Sequence, residues 1–169
     1  MDWIASNLYV VDNLGQKIDI LALEGEYHTI VLSSNLTSPT DIALDPRVGL
    51  MFITDNNRIL RAHMDGSQVK TLVDDAVYKA SGVTVDMETS RIFWSDILLD
   101  YIETVDYNGE NRVNIVRGSK QVPSPYHLTI FERSVFWTDH TRQGVIKVDK
   151  FLGKDTISPI YDGKVKCFR

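Results

Sequence analysis

Short β-like runs, each ending in a turn rich in Pro, Gly or Asn, follow one another along the chain in groups of four. One group reads Thr40 to Asp45, Leu50 to Asp55, Ile59 to Asp65 and Val69 to Val73. The next reads Gly82 to Asp86, Arg91 to Asp96, Tyr101 to Tyr107 and Arg112 to Val116. Connections this short join neighbouring antiparallel strands, so each group predicts a four-stranded meander. Asn108-Gly109 predicts a hairpin turn with φ > 0 at both residues, a conformation that each tolerates.

The groups are copies of one unit. An aromatic residue followed three positions later by Asp occurs at Tyr9/Asp12, Phe52/Asp55, Phe93/Asp96 and Phe136/Asp139, at separations of 43, 41 and 43 residues. Asp2, Asp45 and Asp86 each precede the aromatic by seven residues, and Thr129 holds that place in the last copy. Downstream of the motif, a turn recurs at Glu24-Gly25, Asp65-Gly66, Asn108-Gly109 and Leu152-Gly153. Three signals in phase over four copies define a repeat. A four-stranded meander recurring about every 42 residues is the footprint of a β-propeller blade, whose sheet faces are covered by its neighbours. Four blades leave two such faces open unless they close on themselves.

Composition narrows the function classes. The 169 residues are 43% hydrophobic and 24% charged, the balance of a globular protein, with a net charge of −5. No Lys/Arg run offers a nucleic-acid footprint or a membrane-surface patch, and no apolar run approaches the ~18 residues of a membrane span. The single cysteine, Cys167, has no intrachain partner, which excludes both a disulfide framework and a zinc site within the chain.

Phe136-Trp137-Thr138-Asp139 and Phe93-Trp94-Ser95-Asp96 resemble the YWTD motif of low-density lipoprotein receptor class B repeats, with Phe52-Ile53-Thr54-Asp55 and Tyr9-Val10-Val11-Asp12 as looser versions. Ile42-Ala43-Leu44-Asp45-Pro46, Met64-Asp65-Gly66 and Leu99-Asp100-Tyr101-Ile102-Glu103 extend the likeness over nearly the whole chain, in wording closest to the large type 1 receptor-related proteins of the family. The resemblance implies an all-β YWTD propeller, of whose six blades this chain supplies about four, at approximately 1–37, 38–78, 79–121 and 122–163, with 164–169 unassigned. The first copy lacks most of its innermost strand, as expected of a partial product, and the sequence departs from the pattern after Gly153. The resemblance further implies the extracellular portion of an endocytic membrane receptor, at the cell surface or in the endosome lumen. Its expected partners are lipoproteins or other secreted protein ligands, together with adjacent EGF-like modules; nucleic acid and direct membrane contact are not expected.

Strand alternation puts Phe52/Thr54, Phe93/Ser95 and Phe136/Thr138 on one sheet face and Ile53/Asp55, Trp94/Asp96 and Trp137/Asp139 on the other. The rings read as packing between sheets. A carboxylate recurring at one strand end in every copy reads as an acceptor for backbone N–H groups or arginine, because a catalytic acid would occur once or twice. The innermost strands are apolar (Ile42-Ala43-Leu44, Val83-Thr84-Val85, Leu128-Thr129-Ile130), which leaves Asp41 and His127 as isolated polar candidates. Two groups do not make a calcium site, and no nucleophile, zinc or phosphate motif is present, so neither enzyme activity nor a cofactor is expected. His127 and His140, flanking the fourth blade, are candidates for a pH switch, since an imidazole titrates near ~6.5. Asn35-Leu36-Thr37 is an N-glycosylation sequon between the first two blades. The expected function is ligand binding, uptake or pH-dependent release by a receptor; a static matrix propeller of nidogen type is the alternative, and a lactonase-like enzyme ranks last.

Overall fold

The computed structural model describes residues 1–161 apart from Glu26 and Ser119. Residues 164–169, with Cys167, lie outside them. All of the described regular structure is β. The first sheet holds β1 (Asn7–Asp12), β2 (Lys17–Ala22) and β3 (His28–Leu32), and the second β4 (Pro39–Asp45), β5 (Leu50–Asp55), β6 (Arg58–His63) and β7 (Lys70–Val73). The third holds β8 (Ala80–Asp86), β9 (Arg91–Asp96), β10 (Tyr101–Asp106) and β11 (Val113–Arg117). The fourth holds β12 (Pro125–Phe131), β13 (Ser134–Asp139), β14 (Gly144–Asp149) and β15 (Gly153–Tyr161). Each is an antiparallel meander in chain order, and the motif strands β5 and β9 have the bounds that the sequence pattern gives.

The sheets stack face to face, with one apolar core in each joint. Tyr9, Ile18, Ile53 and Leu60 fill the joint between the first and second sheets. Phe52, Trp94, Tyr101 and Val105 fill the next. Phe93, Trp137, Ile146 and Val148 fill the last. Neighbouring motif residues therefore face opposite ways: Phe52 packs on the following sheet and Ile53 on the preceding one. In the second and third sheets the third motif position is a small hydroxyl residue that crosses the joint. Thr54 Oγ1 donates to the Ser81 carbonyl at 3.0 Å and Ser95 Oγ to that of Tyr126 at 2.8 Å. Trp94 Nε1 donates to the Tyr101 hydroxyl at 3.3 Å. Trp137 has Gly144 at the corresponding register position, and its buried N–H finds no partner among the described residues.

Three sequence readings need correction. Asn108-Gly109 is not a two-residue hairpin: only Gly109 takes positive φ (86°), and the link from β10 to β11 runs from Tyr107 to Arg112, tied by Asp106 Oδ1 accepting from the Asn108 and Glu110 N–H groups. Thr129 is not the equivalent of Asp45 and Asp86. It pairs with Phe136, and Phe131 pairs with Ser134 as Asp45 pairs with Leu50, because the β12–β13 turn is two residues shorter than the β4–β5 turn. The segment after Gly153 keeps the repeat pattern in structure, forming β15 against β14. The first sheet agrees with the reading of its copy: it has three strands among the described residues, and its innermost strand is reduced to a bridge between Asp2 and Asn7.

Candidate functional site

The motif carboxylates sit at one end of the sheet stack, where those of the second, third and fourth sheets pin the loop that enters their own sheet and that of the first holds its β1–β2 turn. Asp55 accepts from Thr37 N (2.9 Å), Ser38 N (2.6 Å) and both Nε and Nη2 of Arg58 (2.9 and 2.7 Å). Asp96 uses both oxygens: Oδ2 takes Tyr78 N and Lys79 N at 2.7 and 2.9 Å, and Oδ1 takes Leu98 N and Leu99 N, each at 2.9 Å. Asp139 accepts from Arg142 N at 2.9 Å and Ser124 N at 3.5 Å, and Asp12 from Gly15 N at 2.8 Å. Asp55, Asp96 and Asp139 are buried, and a carboxylate out of water needs such donors.

Holding the backbone inward sends side chains outward. Tyr78 and Leu98, hung from opposite oxygens of Asp96, are 62% and 64% exposed. On the fourth sheet, Tyr126 stacks on His140 with ring centroids 4.5 Å apart and meets His127 edge-on at 4.8 Å. The two histidines named from sequence are thus brought together around one tyrosine. The repeat pattern gives no hint of Tyr78, Leu98 or Tyr126, which lie outside the motif strands. Close by, Asp100 (φ 51°) has its carboxyl raised by burial and, secondarily, by the charges of Asp139 and Asp96.

His127 also faces the channel between the innermost strands, where its Nδ1 is 3.6 Å from Asp41 Oδ2. Asp41 spends its oxygens on Ile42 N (2.9 Å) and Val83 N (3.0 Å), so it is a backbone clamp as well as the imidazole's neighbour. The open channel has a volume of about 510 Å³ and is lined by Ile42, Leu44, Val83, Val85 and Leu128, with Thr84 and Thr129, around this pair. Among the described residues no group of three or more His, Cys, Asp or Glu side chains could hold a metal ion. Asn35 is exposed at the carboxylate end of the stack, in the left-handed region (φ 59°), and its carbonyl accepts from Arg58 at 2.6 Å.

Comparison with known proteins gives relatives and a fold. The chain is 34% identical over 158 residues, 92% of its length, to the vitellogenin receptor Yl of Drosophila melanogaster, of which it covers 8%. It is 25% identical over 153 residues to a human low-density lipoprotein receptor-related protein 5-like protein, of which it covers 60%. The chain thus spans only part of each of these relatives. Among solved structures, a chain of the nidogen/laminin complex superposes with a TM-score of 0.69 at 23% identity, over 91% of this chain and 75% of that one. No protein-family model matches the sequence.

Proposed function

Starting from a chain that belongs to the low-density lipoprotein receptor class B repeats and folds as part of their propeller, we propose that it is an extracellular protein-binding segment of a receptor. It docks a secreted protein ligand on the carboxylate end of the stack, through Tyr78, Leu98 and the Tyr126–His127–His140 cluster. The observation that carries this reading is the exposure of Tyr78 and Leu98 on backbone fixed by one buried carboxylate. Such residues are anchors whose ordering is complete before the partner arrives, which lowers the entropic cost of binding. The names of two relatives, both vitellogenin receptors, favour vitellogenin as the ligand. The work is recognition rather than turnover: the ionisable groups that the channel presents are one carboxylate and one imidazole, beside the hydroxyls of Thr84 and Thr129. Ligand release in an acidifying compartment would draw on His127 and His140, and a glycan on Asn35 would stand beside the docking loops without covering the third and fourth sheets.

Amide hydrogen exchange with and without purified vitellogenin or low-density lipoprotein tests the reading. Protection is expected at Tyr78–Lys79, Ile97–Leu99 and Tyr126–His127. Protection confined to the opposite end, around Arg47 and Glu88, or no binding to either probe at about 10 µM, an affinity of about 7 kcal/mol, would overturn it.

A further inference from the structure

The loops that enter the second and third sheets each carry a residue in the left-handed region, Asn35 (φ 59°) and Ala76 (φ 49°), two positions before the first amide held by the motif carboxylate. In both, the carbonyl of that residue accepts from the side chain that pairs with the carboxylate in register: Arg58 Nη2 donates to Asn35 at 2.6 Å and Tyr101 Oη to Ala76 at 2.9 Å. Outward from this shared knot the two sheets differ. In the third, Arg112 Nη1 donates to the Asp75 carbonyl at 2.6 Å while its Nε donates to Glu103 at 2.7 Å, so one long side chain next to the outermost strand ties it to the entering loop. Asn114 adds a bond to Glu103 at 3.0 Å. The register places of Glu103, Asn114 and Arg112 are held in the second sheet by Leu60, Thr71 and Val69. No side chain of these three bonds to the loop among the described residues.

What they leave is an open groove with a volume of about 380 Å³, inside the range of about 300–1,000 Å³ usual for small-ligand sites. Asn35, Leu36 and Thr37 form its loop side, and Arg58, Leu60, Val69 and Thr71 its sheet side. Leu36 and Leu60 belong to the core of the joint beneath, and Val69 packs against that core. Arg58 makes its bonds through Nε and Nη2, so the N–H groups of Nη1 have no acceptor among the described residues. An apolar floor, polar walls and unspent donors suit a sugar ring, which has a C–H face and oxygen acceptors. The groove is lined by the one residue to which a sugar would be attached, the exposed Asn35 of the Asn-Leu-Thr sequon.

We propose that the first N-acetylhexosamine of a glycan on Asn35 seats in this groove and makes the tie from entering loop to outer strand that Arg112 makes in the third sheet. Attachment forms a bond from Asn35 Nδ2 to the anomeric carbon of a glycosyl diphosphate donor, as that carbon's bond to the diphosphate breaks and the amide gives up one proton. Once attached, the sugar meets the groove at high effective concentration, so few contacts hold it there. Its C–H face covers Leu60 and Val69, and its oxygens accept from Arg58. The proposal rests on the glycan reading above and adds that the sugar is part of the packing of the second sheet.

The test compares the 169-residue chain secreted from a eukaryotic host, trimmed by endoglycosidase to one sugar, with the same sequence from a bacterial host, which keeps Asn35 in both. The single-sugar chain is expected to melt about 2–4 °C higher, the scale of one net hydrogen bond in a chain of this size. Nuclear Overhauser contacts are expected between sugar protons and the methyl groups of Val69 and Thr71. Thr71→Tyr, at an exposed strand position that accepts a ring, fills the groove and should remove the gain while the glycan stays attached. Each variant is compared with its own sugar-free form, so a change in stability from the tyrosine itself cancels. An unmodified Asn35 in the secreted chain, read from its mass, would overturn the glycan and its seat together. A single-sugar chain that melts like the bare one, lacks the contacts, or keeps its gain in Thr71→Tyr would overturn the seat alone.

Discussion

Lys150 Nζ meets Asp86 Oδ2 at 2.7 Å across the joint between the third and fourth sheets, with both side chains almost wholly buried. Glu88, on the exposed side at 3.4 Å, adds a second acceptor, and the Phe151 ring lies 5.1 Å from the ammonium. Removing one partner of such a pair leaves a charge in the interior. Lys150→Met should therefore cost about 3–5 kcal/mol, while Lys150→Met with Asp86→Leu should recover most of it. Urea unfolding of the two variants checks this. A single variant as stable as the parent would show that the pair is solvated.

Acid should loosen the same joints. Hydrogen bonding from Arg47 holds the Asp45 carboxyl below the usual range against the opposing effect of burial, and Tyr107 assists. At Asp86 burial pushes the carboxyl up, yet Lys150 and Thr89 outweigh it and the net direction is down. With the folded value below the unfolded one, the unfolded chain binds more protons in that interval. The stabilisation is complete above the unfolded value of about 4 and is lost as pH falls through the folded values. The urea midpoint is expected to fall steeply below about pH 4. A midpoint unchanged down to about pH 3 would contradict these directions.

Asp96→Asn keeps the side-chain shape but halves its capacity to accept the four N–H groups that converge on it. A loss of about 1–3 kcal/mol is expected, and since the same bonds order Tyr78 and Leu98, any loss of ligand affinity should accompany the fall in melting temperature. An affinity loss at unchanged melting temperature would make the carboxylate a ligand contact instead.

This carboxylate is legible in the amino-acid sequence, because a side chain needed in every sheet recurs at a fixed spacing. The alternation of Phe52 and Ile53 between two cores is legible for a related reason, as strand periodicity is local. Phe131 is not, since a turn two residues shorter shifts the count and makes Thr129 look like the equivalent of Asp86. Nor are the exposed Tyr78 and Leu98 and the half-buried Tyr126, whose placement is set by where the Asp96 and Asp139 loops hold the backbone rather than by any residue pattern. His127 and His140 stand apart along the chain, and only the fold sets both against Tyr126.

His127→Gln with His140→Gln should flatten the ratio of ligand affinities between about pH 5.5 and 7.4, since both imidazoles pack on Tyr126 at the docking end and histidine is the side chain suited to a switch in this range. If the double variant keeps the parent's ratio, acid-dependent release has another origin.

Asn35 in secreted material is expected to carry a glycan, given its exposed side chain in an Asn-Leu-Thr sequon. Glycosidase treatment should lower the mass, and Asn35→Gln should abolish the change. An unmodified secreted chain would remove the site.

The most direct test of the docking end is the affinity of Tyr78→Ser with Leu98→Ser for vitellogenin or low-density lipoprotein, measured beside a control pair, Val48→Ser with Phe151→Ser, whose exposed residues lie at the other end of the stack. The account predicts a loss of at least about tenfold for the first pair, as for anchor residues, with melting unchanged and the control pair binding like the parent. Equal affinity for both pairs, or a loss confined to the control, would contradict it.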